Sequence, residues 1–326
     1  MYNYFLTLFF ENFYFMTLAL IAPLILTVLG LTLFEVINSV DNAVINAEVL
    51  GKMSPWAKKW FLVWGIFLAV FVVRGVLPWL ILWGSVPGIG PWEAFVASFS
   101  SDPRVLGAVE MSKPILLCGS GLFLVYLFLH WLFLETKEFG LVGEKFIARH
   151  GVWFYTVASL VLGVVVWKTI HINPMMAVGA VMGSTAFFLV HGFKENAERA
   201  EERMLEGDNS MSDWSKILYL EAIDACFSVD GVLGAFAFTT AVPLILIGNG
   251  IGVWVVRKLT VSNVDTIKKF VFLKNGAMYS IFSLGIIMLA EAFGAHIPSW
   301  VSPVITFCVI GFFLFKSVAV LNSQKA

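Results

Sequence analysis

Two stretches of this chain bury acids in apolar runs, and they do so in the same pattern. The first reads Glu35-Val36-Ile37-Asn38-Ser39-Val40-Asp41-Asn42, in an apolar run reaching back to Leu24. The second reads Asp224-Ala225-Cys226-Phe227-Ser228-Val229-Asp230-Gly231. Each has an acid, five residues and a second acid, and Ser-Val-Asp closes both. An ionised side chain at membrane depth costs roughly 2.5–3.5 kcal/mol on insertion scales, so such residues mark a pathway or a site. Finding the pattern twice implies an internal repeat that carries an ion site.

The apolar runs decide the class. Of 326 residues, 59% are hydrophobic and 13% charged, with a mean hydropathy of +0.87. A soluble domain carries about 25% charged residues, so the chain is read as an integral membrane protein. A net charge of −1 gives no reason to suspect nucleic acid as a partner. Cys118, Cys226 and Cys308 are scattered through apolar spans and suggest neither a disulfide framework nor a thiolate metal site. The first Lys or Arg is Lys52, so the N-terminus lacks the basic region of a cleaved signal and the first span is expected to be kept.

A helix needs about 20 residues to cross a bilayer. Nine segments are long enough, near 24–50, 59–83, 113–134, 151–170, 174–193, 215–239, 242–262, 271–294 and 299–321. Residues 4–22 are apolar but interrupted by Glu11-Asn12 and followed by Pro23, which fits either an extra span or an interfacial helix. The stretches 51–59, 135–150, 194–216, 257–274 and 316–326 hold 17 of the 21 Lys and Arg residues. They are expected to be cytoplasmic, with the C-terminus inside and, for nine spans, the N-terminus outside. A cysteine introduced within 200–210 should therefore react only from the cytoplasmic side; labelling from the periplasm would reverse the assignment.

In this topology the first acidic span runs inward and the second, five spans later, runs outward. The expected fold is all-α and polytopic, with about nine transmembrane helices in two inverted repeats around a linking span. The domains would be 1–23, an interfacial or extra segment; 24–170, the first repeat; 171–214, the linking helix and charged loop; and 215–326, the second repeat. Inverted repeats with polar helices at matching positions are a transporter signature. Arg74 in span two and Arg257 in span seven form a second correspondence. Residues 84–112 read as a turn plus a short amphipathic surface helix. Residues 194–214, where Glu195 and Arg199 stand four apart, read as a solvated helix.

On a helix, Glu35, Asn38 and Asn42 share a face that Asn46 extends, and Glu221, Asp224 and Ser228 do the same. Asp41 and Asp230 lie about 100° off those faces. Unwinding near each Ser-Val-Asp, eased by Gly231 and Gly234, would let them converge and free carbonyls as ligands. This oxygen-rich set suits hard ions such as magnesium, calcium or manganese. The histidines show no paired ligand spacing; His130 and His191 read as packed side chains or, with Glu221, as a proton relay. Arg74 and Arg257 are the counter-charges, as fixed locks or as partners released when a cation arrives.

Three segments carry a family resemblance: "FEVINSVDNAVINAEVLGKM", "IDACFSVDGVLGAFAFTTAVPLILIGNGIGVWVVRKL" and "LKNGAMYSIFSLGIIMLAEAFGAHIPSWVSPVI". They resemble the TerC-like membrane proteins of the LysE transporter superfamily, over most of spans one, two and six to nine. The resemblance implies a bacterial inner-membrane protein associated with manganese export and tellurite resistance. It maps the family's intramembrane acids onto Glu35, Asp41, Asp224 and Asp230. One departure is Val-Asp-Gly at 229–231, where the family has Val-Asp-Ser and then Ile-Pro, which removes a hydroxyl ligand.

The expectation is a manganese exporter driven by an ion gradient. Glu35, Asp41, Asp224 and Asp230 would hold Mn2+ as cargo, with Asn38, Asn42 and Ser228 as auxiliary ligands. The partners would be a divalent cation and the lipid bilayer, with a homodimer as an admissible assembly and no nucleic acid. The rivals are an exporter of calcium or amino acids, and a membrane scaffold for stress response or protein insertion with structural acid–arginine pairs. No nucleophile–base pair or cofactor motif suggests an enzyme.

Overall fold

The computed structural model describes residues 21–326 apart from 40–49, 51–52, 66, 86–89, 98–102, 138, 142, 206–211, 263–268 and 324–326. Among the described residues the chain is helical, and a helix covers at least part of each of the nine expected segments. The helices begin with α1 (Ile21–Asn38). The second, α2 (55–85), is assembled from Pro55–Trp60, two π-helical stretches at Phe61–Gly65 and Leu68–Val73, and Arg74–Ser85. A short α3 (Pro91–Ala97) precedes α4 (Pro103–Leu134), α5 (Glu144–Ala148), α6 (Trp153–Ile170) and α7 (Pro174–Leu205). The second half supplies α8 (Asp213–Ala235), α9 (Val242–Ser262), α10 (Leu273–Ala292) and α11 (Val301–Ser323).

Six segments are apolar enough over a sufficient length to cross a membrane: Ile21–Asn38, Met111–Leu134, Trp153–Ile170, Pro174–Asn196, Leu273–Ala292 and Val301–Ser323. The other three spans, α2, α8 and α9, carry Arg74, Glu221, Asp224, Asp230 and Arg257 between them. The surface helix expected within 84–112 is α3. The third span, Met111–Leu134, falls where 113–134 is expected, and its helix extends back to Pro103. Proline fits the first turn of a helix, whose N–H groups have no intrahelical partner, and Pro114 lies inside the helix. Residues 4–20 lie outside the described residues, so the reading of that segment stands as an expectation.

Contacts between helices fix their relative directions. Going up α1 from Phe34 to Glu35 goes down α8 from Gly234 to Gly231, and the Phe34 and Phe238 rings lie 5.7 Å apart. Along α2, Phe61, Val70 and Gly75 meet Arg257, Gly250 and Leu246 of α9. Along α4, Lys113, Gly121, Phe128 and Glu135 meet Glu291, Gly285, Phe282 and Lys274 of α10. Three helices of the first half thus pack antiparallel against their counterparts five spans on, as inverted repeats require. The fourth pair, α6 and α11, is peripheral in both halves, with 22% of each apolar window buried.

The linking helix α7 has no counterpart and runs parallel to α4. Phe123 and Phe187 are 5.9 Å apart between centroids, and His130 and His191 are 3.9 Å apart. Backbones touch where Gly119 faces Gly179 and Gly183; a Cβ on Gly119 would lie 2.7 Å from the Gly179 carbonyl oxygen. Small residues at such crossings let apolar helices associate in lipid by close packing. The core built around α4 includes Leu117, Leu122, Phe123, Tyr126, Phe154, Phe187 and Ile281. At one end of α4 the following loop is tied down by Glu144, buried and accepting from Asn275 Nδ2 (2.9 Å) and the Tyr279 hydroxyl (3.0 Å).

Candidate ion site between the repeats

Each arginine expected to face acids pairs with one of its own repeat, and Arg74 also feels the charges of Asp224 and Glu221 in the other. Arg74 of α2 donates from Nη2 to Glu35 Oε1 of α1 at 2.5 Å, and both side chains are buried. The Ser39 hydroxyl donates to the same oxygen at 2.8 Å. In the second repeat Arg257 of α9 donates from Nη2 to Asp224 Oδ2 at 2.7 Å and lies 3.5 Å from Glu221 Oε1. The shared face predicted for Glu221 and Asp224 therefore exists, and one guanidinium serves both. Arg257 also donates to the Phe61 carbonyl of α2 at 2.7 Å and lies 4.2 Å from the Phe61 ring centroid.

The π-helical stretches of α2 explain that last contact. Such stretches replace the usual i to i+4 register, and they are frequent at functional sites. Here one runs from Phe61, whose carbonyl Arg257 reaches, to Gly65. A Cβ on Gly65 would collide with Glu221 Oε1 and Arg257 Nη1, so the absence of a side chain makes room for the ion pair.

The expected unwinding at Ser228-Val229-Asp230 is not found: α8 is one continuous helix from Asp213 to Ala235. Two local features keep it regular. The Ser228 hydroxyl donates to the Asp224 carbonyl one turn back at 2.5 Å, the usual way a helix absorbs a serine. Gly231 and Gly234, expected to ease unwinding, instead admit α1. A Cβ on Gly231 would lie 2.7 Å from Glu35 Oε2, and one on Gly234 would collide with the Phe34 ring. The Asn38 amide borders the same spot, 3.8 Å from the Gly231 Cβ position.

Asp230, pointing off the Glu221–Asp224 face, is met by a residue not singled out in the sequence. Lys194 of α7 donates from Nζ to Asp230 Oδ2, and both are buried. By sequence Lys194 belongs to the solvated stretch 194–214. Beyond it Glu195 and Arg199 do form an exposed pair at 2.5 Å, and α7 continues as a helix to Leu205. The signal that separated Lys194 was its place one turn after His191, at the end of an apolar span. His191 and His130 lie beside it with their rings tilted by 54°, a pairing across two helices that linear spacing could not show. Glu221 lies instead with Arg257.

Asp41, Asn42 and Asn46 lie outside the described residues. Among those described, no three acidic, imidazole or thiol groups converge to hold a cation; arginine and lysine stand between the carboxylates. One oxygen of each of Glu35, Glu221 and Asp230 is nevertheless buried with no hydrogen-bond partner. Glu35 is additionally pressed between repeats, since a Cβ on Gly252 of α9 would lie 2.6 Å from its Cβ and Cγ.

These features define an all-α polytopic membrane protein whose inverted halves meet around a buried ionic centre. The chain belongs to the family described as "Protein of unknown function (DUF475)", whose model matches residues 40–324. It is also similar to the "Uncharacterized membrane protein YceF" of Bacillus subtilis (strain 168), 30% identical over 112 residues. That match covers 34% of this chain and 43% of the relative, so the chain spans less than half the relative's length. No solved structure matches.

Proposed function

We propose that this protein exports a divalent cation, with manganese as its cargo, across the bacterial inner membrane at the expense of an ion gradient. The observation that carries the reading is the buried ionic centre. Carboxylates from both antiparallel repeats face side-chain cations, and three of them keep an oxygen without a hydrogen-bond partner. A cation entering there gains those oxygens and displaces resident positive charges, which alternates the charge state of the two halves. The donor set named here is oxygen, and this favours a hard ion over zinc or copper. The resemblance to TerC-like proteins points to manganese among the hard ions. Asp41 and Asn42 complete the ligand set on this reading, with Glu35, Asp224, Asp230, Asn38 and Ser228.

The rival is a scaffold in which the acid–arginine pairs only hold helices together, and the tie from Arg257 to a backbone carbonyl favours it locally. Inverted membrane vesicles loaded with the protein separate the two. They are expected to accumulate a manganese isotope when a proton or sodium gradient is imposed, and to lose that uptake when Asp41 is changed to asparagine. A scaffold would give neither uptake nor stoichiometric manganese binding.

A further inference from the structure

Asn249 of α9 is a polar side chain wholly buried outside the ionic pairs. It is 0% exposed, and neither its amide nitrogen nor its amide oxygen has a hydrogen-bond partner. A carboxamide carries two donors and an acceptor oxygen, and buried polar groups are normally satisfied. Leaving one unsatisfied in a helix interior is costly, and such a group in a native fold calls for a role.

Its direction follows from the faces of α9. Successive residues turn by about 100°. Gly248 and Gly252 face α1, where Thr32 donates to the Gly248 carbonyl at 3.1 Å and Gly252 abuts Glu35. Leu246, Gly250 and Arg257 face α2, at Gly75, Val70 and Phe61. Ile247, Ile251 and Trp254 make up the exposed side. Asn249 lies opposite that side, between the face turned to α1 and the face turned to α2. Those are the two helices that the Glu35–Arg74 pair joins.

Its level fits as well. Glu35 packs at Gly252, one turn above Asn249, and the antiparallel match of Val70 with Gly250 and Gly75 with Leu246 brings Arg74 level with the turn below. The unpartnered amide thus sits in the angle between α1 and α2, at the height of an ion pair whose Glu35 Oε2 is itself unpartnered.

We infer that Asn249 is a neutral oxygen ligand of the transported cation, acting with Glu35 from the opposite repeat. The inference rests on the export reading and names a residue that the acidic pattern does not contain. Hard divalent ions take amide carbonyl oxygens alongside carboxylates. A neutral donor adds coordination without adding charge, so the arginine-neutralised arrangement is undisturbed when the cation leaves.

Manganese binding to the purified full-length protein in detergent, by calorimetry, tests this together with the melting temperature without metal. Asn249→Leu keeps the volume and removes both polar atoms. It is expected to weaken manganese binding by at least about tenfold, the usual cost of losing a group at a metal site, while its metal-free melting temperature stays the same or rises. Asn249→Asp, which restores an oxygen donor, should recover the affinity. Absence of binding by the wild-type protein would overturn the export reading itself. Wild-type binding with unchanged affinity in Asn249→Leu would overturn the role of Asn249 alone. So would a lowered metal-free melting temperature in that variant, since it would mark a structural bond.

Discussion

Replacing Arg257 with alanine is expected to destabilise the protein by about 3–5 kcal/mol, the usual cost of removing one partner of a buried ion pair. The cost arises in what remains. Asp224 and Glu221 lose the guanidinium that holds them at 2.7 and 3.5 Å, and the Phe61 carbonyl loses its 2.7 Å donor. The stacking on the Phe61 ring goes too, and a desolvated cation–π contact adds about 2 kcal/mol in the best cases. Arg257→Lys should recover only part of the loss. A single ammonium cannot reach a carboxylate on α8 and a carbonyl on α2 with the planar fork that arginine presents. Thermal melting in detergent measures all three proteins, and a melting temperature unmoved in Arg257→Ala would show that this pair locks nothing.

Arg74 should respond differently. Its pair with Glu35 lies within the first repeat, and the partner oxygen also accepts from Ser39. On the export reading it is the cation that cargo displaces. Arg74→Ala should then bind manganese more tightly yet turn over more slowly, because the carboxylates lose the charge that stabilises them once cargo has left. Unchanged affinity with a large fall in melting temperature would place Arg74 with Arg257 as a lock.

Much of this architecture was legible in the sequence, and the residues that were not share a physical reason. Glu35, Glu221, Asp224, Asp230, Arg74 and Arg257 stand out because a charge in an apolar run is expensive, so each needs a partner at the same depth. Lys194 was hidden because it opens a stretch of alternating charge, where one lysine looks like its solvated neighbours. Only the packing of α7 against α8 shows that it turns inward. Asn249 was hidden for the opposite reason: a neutral amide between glycines gives no charge signal, and its weight comes from having no partner. The regularity of α8 is hidden in the sequence because glycine has two uses. Gly231 and Gly234 look like points of unwinding, whereas they allow the close approach of Glu35 and Phe34. Sequence spacing alone cannot separate a backbone that bends from one that is approached.

On the export reading, Asp230→Asn is expected to abolish manganese transport and, unlike a simple loss of a ligand, to destabilise the fold. From sequence alone the change looks nearly isosteric and harmless to packing. In the structure it removes the carboxylate from Lys194, whose ammonium lies buried against it on the linking helix. A buried lysine that loses its carboxylate is strongly destabilising, by about 3–5 kcal/mol where the site cannot admit water. The double variant Asp230→Asn with Lys194→Gln removes both charges and should regain most of the melting temperature, because two neutral amides can hydrogen-bond where the ion pair stood. Transport should not return with it, since the cargo still lacks a carboxylate and the associated Coulomb attraction, worth about 4 kcal/mol at 4 Å for each unit charge at an effective dielectric of 20. Recovery of both stability and transport in the double variant would mean that Asp230 serves only to hold α7. Recovery of stability alone assigns Asp230 to the cargo and Lys194 to the linking helix as the cation that must yield its place, and melting curves with vesicle uptake on the same three proteins read the difference.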